Sequence, residues 1–175
     1  MVHEIEIKAL LTEQQHAELR KTLPVKFKKI NEDAVTTVKF KPKDVRVRYS
    51  EKLNEIVFKD EDATALSRKE ISVNLRDNED SEKMISILRE LGFNNTPPWL
   101  TRREEFVCKL YGFEYTLSLQ HIENFAYILE AEALADDDKK HIPVLKEILS
   151  GLGCEPIEPE QFKIKIEEYI RKNSK

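Results

Sequence analysis

The feature that most constrains this chain is a set of charged pairs spaced two residues apart in segments of strand character. The pairs are Glu4 and Glu6, Arg46 and Arg48, Arg68 and Glu70, and Glu130 and Glu132. Successive side chains of a strand point to opposite faces, so both members of each pair share one face. The other face of most of these strands is apolar. Two arrangements fit this pattern: an antiparallel sheet with one solvent-exposed face, or a closed barrel with its charged face inward.

The alternation of apolar and polar residues predicts the strands. It places them at 2–9, 44–50, 54–60, 67–75, 101–109, 113–122 and 125–134, with a less regular one from Val35 to Phe40. No regular alternation of strand and helix is present, which favours an antiparallel α+β fold. We expect an eight-stranded antiparallel β-barrel with amphipathic helices packed outside it.

Apolar residues at helical spacing predict four helices. The first follows a capping box at Thr12–Gln15 and ends at Leu23, before Pro24. The second begins at Asp80–Ser81, turns Met84, Ile87, Leu88 and Leu91 inward and closes at Gly92. The third follows the acidic run 136–138, and the fourth covers 159–172.

Length and charge narrow the class of protein. A chain of 175 residues fits one domain over 1–175. Its net charge of -4 provides no overall basic field, so neither nucleic acid nor a membrane is expected as a partner. Cys108 and Cys154 lack metal-ligand spacing and are expected to be reduced thiols. The first residues do not resemble a signal peptide, so we expect a cytoplasmic protein.

The charged pairs combine two chemistries. Carboxylates bind hard cations such as Mg²⁺ or Mn²⁺, which prefer oxygen ligands. Arginine and lysine bind phosphate oxygens, arginine in a bidentate fashion. A metal-bound polyphosphate needs both kinds of group. A barrel that encloses these faces is therefore expected to hold such a ligand.

The charged motifs also resemble those of a known family. The segment Glu4-Ile5-Glu6-Ile7-Lys8 resembles the N-terminal Glu-x-Glu-x-Lys signature of the CYTH superfamily, the triphosphate tunnel metalloenzymes. Further elements follow in family order: Arg46-x-Arg48, Lys59, Arg68-x-Glu70, Arg103 with Phe106 three residues on, and Glu130-x-Glu132. The resemblance covers residues 3 to about 134, and a helical tail follows.

The resemblance implies a role for each of these residues. The triphosphate-binding residues would be Lys8, Arg46, Arg48, Lys59, Arg68 and Arg103. The ligands of the metal, Mg²⁺ or Mn²⁺, would be Glu4, Glu6, Glu130 and Glu132. Among these, the residues expected to act directly in catalysis are Glu4, Glu6, Lys8 and Arg103. Glu70 and Gln120 would act indirectly, by orienting Arg68, a neighbouring lysine or a metal ligand. The implied partner is a small-molecule triphosphate, and a homodimer is left open.

The sequence also departs from the family pattern. Gln120 stands where the family carries an aspartate, so one charge is missing near the closing glutamates. Thr101 replaces a lysine, and Arg102 is expected to compensate in part. Phe125-Ala126 replaces a Leu-Gly bend. Lys163 and Lys165 are both candidates for the C-terminal lysine that reaches the tunnel.

Three functions therefore remain open at this stage. The leading one is a metal-dependent triphosphatase that acts on inorganic triphosphate or a small organic triphosphate. A class IV adenylyl cyclase shares the scaffold, but its His-Phe-x-Gln stretch has no counterpart in residues 25–31. A non-catalytic binder of triphosphates or polyphosphate is favoured by Gln120. Thiamine triphosphate would need an aromatic or acidic recognition surface, and the sequence does not reveal one.

Overall fold

A computed structural model describes residues 3–59 and 66–173, with the backbone alone at Arg68, Asp138 and Asn173. The strands are β1 (His3–Leu11), β2 (Lys28–Lys41), β3 (Asp44–Tyr49), β4 (Asn54–Lys59), β5 (Ser67–Arg68), β6 (Glu70–Asn74), β7 (Asn94–Asn95), β8 (Trp99–Leu110), β9 (Phe113–Ile122), β10 (Ala126–Ala135) and β11 (Pro156–Ile157). The helices are α1 (Glu13–Lys26), α2 (Asn78–Glu90), α3 (Asp138–Gly151) and α4 (Pro159–Asn173).

All strands in the described residues belong to one sheet, and the pairings given by their registers are antiparallel. The order is β11-β1-β10-β9-β8-β2-β3-β4-β6, while β5 pairs with β1 and β7 with β2. Only Lys69 separates β5 from β6. Arg68 lies opposite Glu4 on β1, and Glu70 lies opposite Lys59 on β4. The prediction of an antiparallel α+β fold is confirmed.

The helices cover the apolar faces of the strands. One core joins Ile5, Ile7 and Leu117 of the sheet to Leu23 of α1 and Leu145 of α3. A second, smaller core is formed by Val38, Phe40 and Val47 of β2 and β3 with Ile85 and Leu88 of α2. Burial of these apolar faces is the main stabilising term of the fold. It also fixes the register of each strand, because a one-residue slip would exchange the two faces.

Helix α1 begins as predicted but does not end at Pro24. The Thr12 side chain accepts a hydrogen bond from Gln15 N at 3.1 Å, and the Thr12 N–H donates to Gln15 Oε1 at 2.9 Å. The helix continues through Pro24 to Lys26. Proline removes one hydrogen bond there, but the last turn still closes, since Phe27 N donates to the Leu23 carbonyl at 2.8 Å.

The predicted inward face of α2 is partly wrong. Ile87 and Leu91 are 51% and 69% exposed, whereas Ile85 and Leu88 are buried. The helix begins at Asn78, capped by Asp77, rather than at Asp80. Ser81 is completely buried and its hydroxyl donates to Asn54 Oδ1 on β4 at 3.0 Å. This contact turns the face of Ser81, Ile85 and Leu88 toward the sheet.

Two strand predictions also change. The strand expected over 67–75 is divided at Lys69, because β5 pairs with β1 and β6 with β4. The strand expected from Val35 to Phe40 extends over all of β2, with an irregularity between Lys29 and Asn31. Eight strands were predicted, whereas residues 3–59 and 66–173 contain eleven, three of which have only two residues.

Two further findings concern the thiols and the helices. Cys108 and Cys154 are both buried and free. Among the helices in the described part of the chain, none is long and apolar enough to cross a membrane.

Candidate functional site

The charged faces of the strands meet at a cavity of about 240 Å³. Six cationic side chains from the strands line it: Lys8, Lys39, Arg46, Arg48, Lys59 and Arg103. They come from five strands, β1, β2, β3, β4 and β8. Glu4, Glu6, Glu130 and Glu132 line the same cavity from β1 and β10. The structure therefore brings together the residues that the sequence singled out, with two exceptions. The side chain of Arg68 lies outside the described residues, and Glu70 does not line the cavity but contacts Lys59 and Arg48, which do.

Arg103 is the least neutralised of the three arginines that line the cavity. Its Nε is buried and has no hydrogen-bond partner among the described residues. Its Nη1 lies 3.5 Å from Glu105 Oε1, which is the ion pair seen for this guanidinium. A buried donor without a partner carries a large desolvation cost. An anion in the cavity would satisfy it.

The neighbouring Arg102 points the other way. Its side chain is 59% exposed, and its Nη2 lies 3.0 Å from Glu123 Oε1. Adjacent residues of a strand face opposite sides, so Arg102 cannot take the place of a cavity lysine at Thr101. The expectation that it compensates is wrong. Thr101 itself lines the cavity and is 8% exposed.

Arg46 and Asp44 form a buried bidentate pair. Arg46 Nε and Nη2 donate to the two Asp44 carboxylate oxygens at 2.8 and 2.9 Å. Burial disfavours the ionised carboxylate, but hydrogen bonds from Arg46 and the charges of Arg46 and Lys39 hold the Asp44 pKa well below its usual range. Burial likewise disfavours the guanidinium, but Asp44 raises the Arg46 pKa. Arg46 therefore stays charged and fixed in orientation at working pH.

Lys59 joins three carboxylates of the site. Its ammonium is hydrogen-bonded to Glu4, lies 2.9 Å from Glu70 Oε2 and lies 3.8 Å from Glu6 Oε2. Burial would lower the Lys59 pKa, but the charges of Glu6 and Glu4 raise it. Glu70 thus contacts a neighbouring lysine, Lys59, and this contact is consistent with the prediction that Glu70 orients a cationic side chain. It also lies 3.7 Å from Arg48 Nη2.

The closing glutamates carry unusually high pKa values. Burial, with the nearby Glu6 charge, raises the pKa of Glu130 to about 7 despite Lys8. Burial and the charges of Glu130, Glu4 and Glu6 raise that of Glu132 to about 8. Gln120 Nε2 donates to Glu130 Oε2 at 3.0 Å. Gln120 therefore holds Glu130 without adding charge to a cluster that already resists ionisation.

The glutamate oxygens are suitable ligands for a hard divalent cation, but they do not form a complete coordination site. In the described residues no three acidic, histidine or cysteine side chains converge closely enough to hold a metal ion by themselves. Lysine side chains lie between the glutamates instead. Lys8 Nζ, for example, lies 2.8 Å from Glu6 Oε1 and 3.4 Å from Glu130 Oε1. Mg²⁺ is commonly bound by one or two carboxylates together with substrate phosphates and water. The four glutamates fit a metal that arrives with a phosphate ligand.

Sequence reasoning missed several cavity residues. Lys39 was not among the predicted site residues, yet it lines the cavity with its Nζ 3.1 Å from Asp44 Oδ2. The signal was its phase, since Lys39 alternates with the buried Val38 and Phe40. Glu105 and Asp44 also line the cavity, in phase with Arg103 and Arg46.

Helix α4 contributes a lining that the sequence did not reveal. It brings Phe162, Ile166 and Tyr169 to the cavity, next to Phe125 between β9 and β10. These side chains form an aromatic surface, which the sequence alone did not reveal. Of the two candidate C-terminal lysines, Lys163 lines the cavity, whereas Lys165 is exposed and does not belong to the lining.

The raised pKa values predict that the metal-free protein loses stability as pH rises. A carboxyl group titrates near 4.5 when unfolded, whereas Glu132 titrates near 8 when folded. Between these values the folded state binds more protons, so the free energy of unfolding falls with increasing pH. Glu132→Gln, which is always neutral, should relieve up to about 5 kcal/mol of this loss at pH 9, since one pKa unit corresponds to about 1.4 kcal/mol.

Urea unfolding in EDTA between pH 5 and pH 9 measures this effect. Glu123→Gln is the matched control, because Glu123 is a surface partner of Arg102 with a side chain that is 39% exposed. Parallel pH profiles for the wild type and Glu132→Gln would show that Glu132 ionises normally.

Solved structures share this fold. A conserved hypothetical protein from Pyrococcus furiosus has 21% sequence identity and a TM-score of 0.68, with 89% of this chain and 95% of that chain covered. A candidate adenylate cyclase from Vibrio parahaemolyticus has 14% identity and a TM-score of 0.66, with 87% and 90% covered. A candidate adenylyl cyclase from Hippeastrum, described as having a dominant triphosphatase activity, has 14% identity and a TM-score of 0.61, with 90% of each chain covered.

These structural likenesses, all at low sequence identity, establish the fold and not the activity. No family model matches the chain, and no curated protein matches it either.

Proposed function

We propose that this chain is a divalent-metal-dependent triphosphatase that binds its substrate inside the charged cavity. The observation that carries the proposal is that six cationic side chains from five strands face the same space as the four glutamates of β1 and β10. A solvated sheet face would spread such groups into water. Here most of them are largely buried, and Lys59 is only 3% exposed. Enclosed cations beside enclosed carboxylates match a polyphosphate that carries a metal ion.

The proposal includes closure of the sheet into a barrel. Residues 67–74 pair with β1 at one end and with β4 at the other. Glu6 N adds a hydrogen bond to the Leu66 carbonyl at 3.0 Å. If β5 and β6 count as one strand, eight strands form a ring in the order β1, β10, β9, β8, β2, β3, β4 and β5–β6. The remaining two-residue strands, β7 and β11, are additions to this ring.

The cations bind the phosphates. Arg103 offers an unpaired buried Nε, and Arg46 is held in place by Asp44. Guanidinium groups that are already oriented lose little on binding and stabilise charge that develops on phosphate oxygens. Lys8 and Lys59 exchange some of their contacts with glutamates for contacts with phosphate. Glutamates released in this way become available to a metal.

The reaction is hydrolysis of the terminal phosphoanhydride. Water attacks the terminal phosphorus, the bond from that phosphorus to the bridging oxygen breaks, and the diphosphate part departs with this oxygen. The products are inorganic phosphate and diphosphate or a diphosphate ester, and the protons of the water pass to these products or to solvent. Mg²⁺ or Mn²⁺, held through Glu4, Glu6, Glu130 and Glu132, would supply charge neutralisation and activation of water. The protein's own contribution is to position the chain and stabilise its negative charge.

Phosphate release from tripolyphosphate with Mg²⁺ or Mn²⁺ tests the proposal. We expect release that depends on the metal and stops in EDTA. ATP separates the two enzyme candidates, because a triphosphatase releases phosphate whereas a cyclase forms cyclic AMP and diphosphate. Cyclic AMP as the main product, or no turnover of either compound, would refute the triphosphatase.

A non-catalytic binder is the second candidate, and Gln120 favours it. Gln120 donates to Glu130 but contributes no charge where a metal would bind. We predict that Gln120→Asp lowers the Mn²⁺ concentration needed for half-maximal phosphate release by about tenfold, since a partner of a metal ligand commonly affects affinity by this much.

Gln120→Asn is the control, because it shortens the side chain and adds no charge. The Mn²⁺ dependence of the three proteins is measured with tripolyphosphate. Tight tripolyphosphate binding without turnover in both the wild type and Gln120→Asp would favour the binder over the enzyme.

A further inference from the structure

The cavity has two chemically different halves. The charged half holds the lysines, arginines and glutamates described above. The aromatic half is lined by Trp99, Ile122, Phe125 and Ile128 of the sheet region and by Phe162 and Tyr169 of α4. Its rings lie close together: the centroid of Phe125 is 5.0 Å from that of Tyr169 and 6.2 Å from that of Phe162.

Lys8 marks the boundary between the two halves. Its Nζ pairs with Glu6 at 2.8 Å and Glu130 at 3.4 Å, and it lies 5.7 Å from the centroid of the Phe162 ring. A ligand whose phosphate contacts Lys8 would therefore bring its next atoms against Phe162. The aromatic half continues the phosphate site and is not a separate pocket.

An inorganic triphosphate leaves the aromatic half without a partner. Every part of that ion is polar, so it cannot cover the apolar surface of Phe125, Phe162 and Trp99. These side chains are only partly buried in the protein alone. Small-molecule sites are typically lined by apolar and aromatic groups, with a few polar groups that fix orientation. A flat organic ring would bury this surface and stack on the rings.

The charged side chains near the aromatic half restrict the charge that a bound ring can carry. The one charged side chain that the described residues of α4 bring to the cavity is Lys163, a cation. Lys8 is offset by its ion pairs with Glu6 and Glu130, so Lys163 is the charge that a bound ring meets. It would repel a positively charged ring but not an uncharged one.

We propose that the substrate is a triphosphate ester of a flat, uncharged organic group, whose ring packs against the surface formed by Phe125 and Phe162. This inference rests on the proposed function, because it places the triphosphate in the charged half. The nucleobase of a nucleoside triphosphate has the required shape and charge. The thiazolium group of thiamine triphosphate has the shape but carries the wrong charge.

Calorimetric titration with ATP and with tripolyphosphate tests the inference. EDTA is included so that a metal-dependent reaction cannot consume the ligand. We expect ATP to bind at least tenfold more tightly than tripolyphosphate, and more tightly than thiamine triphosphate. Tripolyphosphate carries the greater negative charge, so charge alone would produce the opposite order. Trp99 is the only tryptophan in the chain, and its fluorescence should change when ATP binds.

Substitutions in the aromatic half test whether its side chains cause the preference for ATP over tripolyphosphate. Phe162→Ala and Phe125→Ala should each reduce the ratio of ATP affinity to tripolyphosphate affinity at least fivefold. Ile164→Ala is the control on the same helix, because Ile164 is 56% exposed and does not line the cavity. Equal affinities in the wild type, or a ratio that neither phenylalanine variant changes, would overturn the inference alone. Failure of both ligands to bind would overturn the proposed function and the inference together.

Discussion

Replacing Arg103 with alanine should lower kcat/KM for tripolyphosphate by about 10²–10³-fold, the usual effect of removing one preorganised donor to a developing charge. The reason is that this guanidinium is the least neutralised of the three arginines that line the cavity. Its Nε is buried with no hydrogen-bond partner in the described residues, and its Nη1 reaches Glu105 only at 3.5 Å, whereas Arg48 Nε lies 2.8 Å from Glu55 Oε1. Phosphate release under saturating metal measures the loss. Tripolyphosphate affinity in EDTA should fall as well.

Arg102→Ala is the matched control for this prediction. It removes the same side chain one residue away, on the outer face of β8, where Arg102 pairs with Glu123. Surface ion pairs contribute little to stability, so this variant should fold normally and keep its rate within about twofold. Equal losses in the two variants would show that β8 is merely destabilised and that Arg103 does not contact the ligand.

Replacing Glu6 with glutamine should lower metal-dependent turnover by at least about 10²-fold, since a metal ion contributes several kcal/mol of charge stabilisation. Glu6 lies opposite Glu132 in the β1–β10 register and lies near both Lys8 and Lys59. Loss of its charge removes a metal ligand but also leaves these two lysines freer to bind phosphate. Tripolyphosphate should therefore bind as tightly as before, or more tightly, in EDTA.

This opposite response of binding and turnover separates a metal ligand from a structural residue. A folding defect in Glu6→Gln would weaken both. Glu123→Gln serves as the exposed carboxylate control, and its turnover should match that of the wild type. Unchanged turnover in Glu6→Gln at limiting Mn²⁺ would exclude Glu6 from the metal site.

The charged half of the cavity was predictable because strand geometry is local. Period-two spacing is enough to place Glu4 with Glu6 and Arg46 with Arg48 on one face. The apolar residues between them then decide which face the helices cover. Lys39 obeys the same rule, but it was missed because its segment, Val35 to Phe40, alternates less regularly than the other predicted strands. Arg102 was misjudged for the converse reason, since one residue along a strand reverses the direction of the side chain.

The aromatic half was not predictable because it depends on tertiary packing. The spacing of Phe162, Ile166 and Tyr169 along α4 shows an apolar stripe, which any packed helix would have. Only the placement of α4 against the cavity, next to Phe125, gives that stripe a ligand-binding role. The inward face of α2 shows the same limit, since the contact of Ser81 with Asn54 sets its rotation.

The central claim is that one enclosed space binds the triphosphate through side chains of separate strands. A crystal structure of the protein soaked with tripolyphosphate and Mn²⁺ tests it most directly. We predict triphosphate density in contact with Arg46, Arg48 and Arg103, and an anomalous Mn²⁺ peak between the phosphates and the glutamates of β1 and β10. A triphosphate bound on the outer surface, with the cavity holding water alone, would contradict the account.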